Sequence, residues 1–219
     1  MDIVLKWQEK IKKWYEYTLL PDVLHQANYR SHWISNQANV GVNNNVTRLL
    51  AESFDDNHFC GNQMTGDFRT SYDQELCNIL KPLIKQYDKN QHNFYLVHLM
   101  GSHFKFECRF PDNFKRFTPK DYLNKPSNQR ETLAAYDNSV LYNDSVVYEI
   151  IQLFKDKEAV IIYLSDHGLD IYQSSGDYAA HGKPNNPVSA KYGSEIPFLI
   201  FASEQYKERF PSQMDLRHK

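Results

Sequence analysis

Between Val160 and Pro184 the chain reads VIIYLSDHGLDIYQSSGDYAAHGKP, a short β-prone apolar run that stops abruptly at Asp166-His167-Gly168 and is followed by a second histidine, His181. Such a run predicts a buried strand that delivers a carboxylate and an imidazole at its C-terminal end, where α/β proteins gather their sites. Adjacent residues of an ideal strand point to opposite faces. Asp166 and His167 can therefore converge on one ion only if the strand ends there and the backbone turns, and Gly168 permits that turn. The constraint asks for a sheet, with the rest of the chain as its scaffold and as the source of further ligands.

The other periodic segments supply that scaffold. Residues 3–15, IVLKWQEKIKKWY, and Thr18 to Asn28, with Pro21 in its first turn, read as surface helices with one packed face. Tyr29 to Ser35 is a strand, and the Asn-rich segment after it is a loop in which Asn43, Asn44 and Asn45 form turns. Phe54 to Phe68 reads as loop, with HFCGN able to hold a brief strand. Ser71 to Tyr87 is a helix, capped by Ser71, whose apolar stripe is Leu76, Ile79, Leu80, Leu83 and Ile84. Asn93 to Met100 is a buried strand that ends in Gly101-Ser102-His103. Phe104 to Asn128, broken by Pro111, Pro119 and Pro126, is an irregular excursion able to shape a substrate cleft. Glu131 to Phe154 is the longest helix, and Glu195 to Ala202 is a last buried strand. This alternation implies an α/β fold, a mostly parallel sheet flanked by helices on both faces with right-handed crossovers. At 219 residues with no internal repeat, residues 1–219 are read as one domain.

Composition excludes several classes. A formal net charge of −2 with mixed signs throughout gives nucleic-acid binding no electrostatic support. No apolar run is long enough to span a bilayer, and Met1 to Leu20 lacks the continuous apolar region of a signal peptide, so the chain as it stands reads as soluble. Cys60, Cys77 and Cys108 fit no zinc-finger spacing. One disulfide with one thiol left over and three buried thiols both remain open.

Carboxylate plus imidazole suits zinc or manganese, zinc being favoured when histidine is a ligand, and two more ligands must come from elsewhere. His98, inside its strand, reads as a hydrogen-bonded core histidine. His103, just past the strand end, reads as functional, and so does His181 in its glycine-flanked loop. Asn138, Asn143 and Asp144 on the long helix are assigned to a partly solvated face.

Five ordered segments, YLVHLMGSHFKFECRFP, YDNSVLYNDSVVYEII, VIIYLSDHG, AAHGKP and SEIPFLIF, together with TLLPDVLHQANYRSHWISNQ, resemble the phosphoethanolamine transferases of bacterial envelopes, members of the alkaline phosphatase and sulfatase superfamily. The resemblance runs from about Thr18 to Ala202. It implies an enzyme anchored in the inner membrane with its soluble domain in the periplasm, moving phosphoethanolamine from phosphatidylethanolamine to lipid A, lipopolysaccharide core sugars or another glycan. It implies zinc as cofactor and a threonine that attacks the phosphodiester. Carried over by motif, Asp166 and His167 match zinc ligands, while His103 and His181 match histidines that contact the phosphoryl group or a second metal.

The same comparison of motifs sets an expectation of incompleteness at both ends. The family's first core strand with its acidic ligand, its threonine nucleophile and its membrane helices are expected upstream of these residues, and a further segment beyond Phe210. None of Thr18, Thr47, Thr65, Thr70, Thr118 and Thr132 stands in the nucleophile's context. Leu169 follows Asp166-His167-Gly168 where the family commonly has an acid, a departure that Asp170 would partly compensate. The expected product is a half-built site, with weak metal binding and negligible transfer. Two other readings are a complete phosphodiester or sulfate-ester hydrolase of the same superfamily, and a non-catalytic domain that binds envelope lipids or glycans.

Overall fold

Three parallel strands form the first sheet. In the computed structural model, which describes residues 18–39, 45–61, 71–86, 88, 90–174, 178–179 and 186–213, helix α1 (Leu20–Gln26) leads into strand β1 (Tyr29–Ser35) and packs on it. Helix α2 (Asn45–Ala51), strand β2 (Asp56–Phe59), helix α3 (Gln74–Lys85) and strand β3 (His92–His98) follow. The strand order is β2-β1-β3, with β1 parallel to both neighbours. Ile34 of β1 is fully buried, and Trp33 packs its ring edge-on to Phe54 at 5.3 Å, with Ala51 completing the cluster. Residues 3–15 lie outside the described residues, as do Asn43 and Asn44.

Strand β2 falls in the segment that reads as loop, and its side chains explain why. Asp56-Asn57-His58-Phe59 is polar because its first residue bonds across the sheet: Arg30 donates from Nε and Nη2 to the Asp56 carboxylate at 2.9 and 3.1 Å. His98 is the core histidine its position predicts, with Nδ1 3.1 Å from Ser35 Oγ and the Trp33 ring alongside. Ser71 does not cap α3; its hydroxyl donates to Asn36 Oδ1 instead. None of the three cysteines forms a disulfide.

The chain divides into two compact units, Met1–Ser71 with Asn78–Leu99 and Tyr72–Cys77 with Met100–Lys219, the division falling within α3. The second unit is built on helix α4 (Arg130–Phe154), whose buried positions Ala134, Asn138, Ser139, Tyr142, Val146 and Ile150 recur at helical spacing along one side. Strand β4 (Val160–Leu164) comes next, then the short pair β5 (Asp170–Ile171) and β6 (Tyr178–Ala179), helix α5 (Pro187–Ser194), strand β7 (Phe198–Ala202) and helix α6 (Glu204–Arg209). Among the described residues no helix is long and apolar enough to cross a membrane.

Two expectations about β4 and β7 change. They pair antiparallel, Ile162 opposite Ile200 and Leu164 opposite Phe198. The connection between them is not a single crossover helix: it holds the β5-β6 pair and the eight-residue helix α5. Nor are the strands buried on both faces: Ile162 is 57% and Phe198 63% exposed, with Val160, Leu164 and Ile200 on the same open face. An apolar run signals strand but does not report whether both of its faces are covered.

The excursion of residues 104–128 is ordered by α4. Its short 3-10 turns, Phe106–Cys108, Asp112–Phe114 and Pro119–Tyr122, all pack against that helix. Asn138, 1% exposed, accepts the backbone N–H groups of Arg116 and Phe117 on Oδ1, both at 2.8 Å, and donates Nδ2 to Phe117 O. Tyr122 donates its hydroxyl to Asp137, and Arg130 donates to the carbonyls of Leu123 and Lys125. Asn138 is therefore a buried anchor and not part of a solvated face; Asp144 is exposed as expected.

Candidate functional site

Strand β4 ends at Leu164 and the backbone bends at Asp166 and His167, the geometry that two adjacent ligands require. Ser165 Oγ donates to His167 O at 2.7 Å and closes the bend. Asp166 is 88% exposed at its side chain; its Oδ1 accepts the His167 backbone N–H at 3.0 Å and lies 3.8 Å from His167 Nε2. The other ring nitrogen, Nδ1, is 2.8 Å from Gly168 O. A carbonyl oxygen only accepts, so Nδ1 carries the proton and Nε2 the lone pair, the state in which imidazole binds a metal.

Gly168 has a different task from the one its position predicts. Its backbone is not in the left-handed region; a Cβ there would lie 2.1 Å from Tyr192 O and 2.4 Å from Glu195 O, while its N–H donates to Gly193 O at 2.9 Å. The glycine admits the end of α5 against the bend. Asp170 is not available to compensate for Leu169. It is fully buried and accepts from Gln173 N, Ser174 N and Ser174 Oγ. Burial pushes this carboxyl up, but hydrogen bonds from Ser174, Ser189 and the backbone outweigh that, and its pKa lies below the ordinary aspartate value.

His103 follows β3 in the chain and is exposed, with Nδ1 2.7 Å from Phe104 O, so it too presents Nε2 outward. Two residues that periodicity did not single out shape its loop. Asp73, 4% exposed, accepts the N–H groups of Met100 at 2.9 Å and Gly101 at 2.7 Å. Arg109, 9% exposed, donates Nε to His103 O at 3.1 Å and Nη2 to Phe104 O at 2.8 Å. Burial lowers the pKa of this guanidinium while the Asp73 charge opposes the shift. In the sequence Asp73 is indistinguishable from a helix cap, and Arg109 carries no local signal.

Asn143 lies between strand β4 and Gly101. Its Nδ2 donates to Tyr163 OH of β4 at 2.7 Å. Its buried Oδ1 has no hydrogen-bond partner among the described residues and faces Gly101, which sits at φ +52°. Asn143 therefore packs between Tyr163 and Gly101, where a partly solvated face was expected. His181 lies outside the described residues. Among the described residues no three of His, Cys, Asp and Glu gather as a metal set.

Asp166 and His167 nevertheless fit zinc as a pair. Two tetrahedral ligands at about 2.0–2.1 Å from a zinc ion stand roughly 3.4 Å apart, against the 3.8 Å between Oδ1 and Nε2 here.

A family model described as Sulfatase matches residues 3–218. The chain is 31% identical over 198 residues to the phosphoethanolamine transferase EptC of Escherichia coli (strain K12), covering 88% of this chain and 33% of that protein. It is 30% identical over 209 residues to the phosphoethanolamine transferase CptA of Salmonella typhimurium, covering 93% of this chain and 35% of that protein. Among solved structures, the C-terminal periplasmic domain of Escherichia coli EptC in complex with Zn superposes with a TM-score of 0.75 at 27% identity, covering 89% of this chain and 54% of that one. The lipoteichoic acid synthase LtaP of Listeria monocytogenes, at 21% identity, TM-score 0.59 and coverage of 84% and 46%, shares the fold. The chain thus spans about a third of the length of the curated relatives it matches.

Proposed function

The chain belongs to the sulfatase family, and from that premise we propose that it is the zinc-ligand-bearing portion of an enzyme that transfers phosphoethanolamine from phosphatidylethanolamine to an envelope acceptor: lipid A, a lipopolysaccharide core sugar or another glycan. The observation that carries this reading is the bend after β4, where Asp166 and His167 face each other, in a chain that aligns over 88% of its length with a phosphoethanolamine transferase.

In this reading Asp166 and His167 Nε2 would hold two positions on a zinc ion, which would supply a Lewis acid for lowering the pKa of a nucleophilic hydroxyl and offsetting charge on phosphoryl oxygens. His103 and His181 attend the phosphoryl group. With Nδ1–H held by Phe104 O, neutral His103 accepts a proton from the acceptor hydroxyl at Nε2, and protonated His103 donates from Nε2 to a phosphoryl oxygen. Asn143 fixes Tyr163 at the end of β4 and packs beside Gly101, which supports both ligand loops. None of the segments that carry the resemblance contributes a threonine in the nucleophile's context, so this reading assigns that role to no residue named here. The parent enzyme sits in the inner membrane with this domain in the periplasm.

Zinc titration by calorimetry tests the assignment. Weak binding is expected for the 219-residue chain, with Asp166→Asn lowering affinity by at least about tenfold and His103→Ala leaving it in place. Tight stoichiometric binding, or turnover of a phosphatidylethanolamine analogue by this chain, contradicts the incomplete site. Undiminished binding by Asp166→Asn removes the ligand assignment.

A further inference from the structure

The excursion between His103 and α4 carries a feature that the transfer site does not use. From Asp112 to Lys125 it holds four cations, Lys115, Arg116, Lys120 and Lys125, against two carboxylates, Asp112 and Asp121, in a chain whose net charge is −2. All four cations are exposed. Elsewhere on the described surface Arg30, Arg48, Lys191, Lys207 and Arg209 are each paired with a carboxylate, and the exposed Lys85 and Lys155 lie outside this segment, at the C-terminal ends of α3 and α4. Among the described residues Lys115, Lys120 and Lys125 have no such partner, and Arg116 lies 5.9 Å from the Phe117 ring. Asp121 stays exposed and accepts the N–H and hydroxyl of Thr118, so the strap keeps a net excess of two positive charges.

The same segment exposes an apolar side chain. Leu123 is 68% exposed, yet its carbonyl is fixed by Arg130. Asn138, Asp137 and Arg130 hold the strap along α4, and these three residues span nine positions of the helix, about 12 Å from first to last. The cations and the leucine are therefore presented together on a segment ordered in advance, which lowers the entropy cost of docking.

We infer that this strap, residues 112–125, docks on an anionic phospholipid surface, with Lys115, Arg116, Lys120 and Lys125 facing phosphates and Leu123 entering the interface. Charge complementarity selects this partner. Unpaired lysines around one protruding leucine suit a bilayer surface, where basic side chains are attracted to anionic headgroups and an apolar side chain gains by leaving water. A nucleic acid would reward the lysines and leave Leu123 in water.

Flotation of the 219-residue chain with vesicles of phosphatidylcholine, with and without phosphatidylglycerol, reads this directly. A chelator removes any contribution from zinc, and omitting phosphatidylethanolamine keeps donor binding out of the readout. Partition onto the anionic vesicles is expected, weakening as salt rises from about 50 to about 300 mM. Each lysine contributes about fivefold at such a surface, so Lys115→Glu, Lys120→Glu and Lys125→Glu together lower partition by at least about a hundredfold. Leu123→Ser lowers it by about tenfold. The charge-matched control Lys85→Glu with Lys155→Glu and Lys191→Glu, three exposed lysines outside the strap, keeps most of the binding. The inference is overturned if the wild-type chain stays off anionic vesicles at low salt, binds pure phosphatidylcholine equally well, or prefers an oligonucleotide. It is also overturned if the strap variant, with native circular dichroism, binds like wild type, or if the control loses as much.

Discussion

Replacing Asp73 by alanine removes a carboxylate that organises the loop leading to His103. Its two oxygens accept the N–H groups of Met100 and Gly101 at 2.9 and 2.7 Å, at 4% exposure, and its charge faces the buried Arg109 guanidinium. A hydrogen bond to a charged acceptor contributes about 1.5–3 kcal/mol. Met100 and Gly101 are only half-buried, so water recovers part of both bonds, and the expected loss is about 3 kcal/mol. Asp73→Asn keeps one carbonyl acceptor and should cost about half as much. Urea unfolding followed by circular dichroism gives the stability change, and amide hydrogen exchange at Met100 and Gly101 locates it. Exchange protection at those two amides should fall by about a hundredfold in Asp73→Ala. A loss below about 1 kcal/mol, or equal losses in the alanine and asparagine variants, would refute the bracket.

Asn138→Ala strips three backbone hydrogen bonds from the strap at Arg116 and Phe117; a loss of about 3 kcal/mol and faster tryptic cleavage at Arg116 and Lys120 are expected in limited proteolysis. Gly168→Ala places a Cβ 2.1 Å from Tyr192 O, so Tm should drop by an amount equivalent to about 3 kcal/mol, and an unchanged Tm would contradict the close approach. His32, in β1, is packed among Asn93, Asp56, Arg30, Asp55 and Tyr95, and burial, the largest influence, holds its pKa below 6.5. The folded state thus favours the neutral ring: this stability is present above pH 6.5 and is lost as pH falls through the folded pKa. Urea midpoints measured down through that window should decline in wild type and decline less in His32→Phe; identical slopes would show that His32 is not the titrating group.

Periodicity located α4 because the face that must leave water recurs at every third to fourth residue, while β1 and β4 were legible as strands from alternation and from a continuous apolar run, neither of which reports which faces are covered. The bend at Asp166 and His167 was equally legible, since two adjacent ligand types after an apolar run need the chain to turn. What stayed hidden depended on partners far away in the chain. Strand β2 looks like loop because its aspartate is satisfied by Arg30, 26 residues earlier. Asn138 and Asn143 look solvated because nothing local shows that one binds the backbone of residues 116–117 and the other a tyrosine hydroxyl 20 residues on. Gly168 reads as a turn residue because the carbonyls that crowd it belong to residues 192 and 195. Asp73 and Arg109 act on main-chain groups, which leave no trace in a pattern of side-chain types.

His103 and His167 share a local device: in each, Nδ1 is bound to the carbonyl of the very next residue, Phe104 or Gly168. Each imidazole is thus aimed by its own dipeptide, and its tautomer is written into two consecutive residues. A loop carrying such a lock can lengthen, shorten or change composition on either side without losing the direction of Nε2. The two histidines behave as portable fittings, whose direction does not depend on the composition of the surrounding segments.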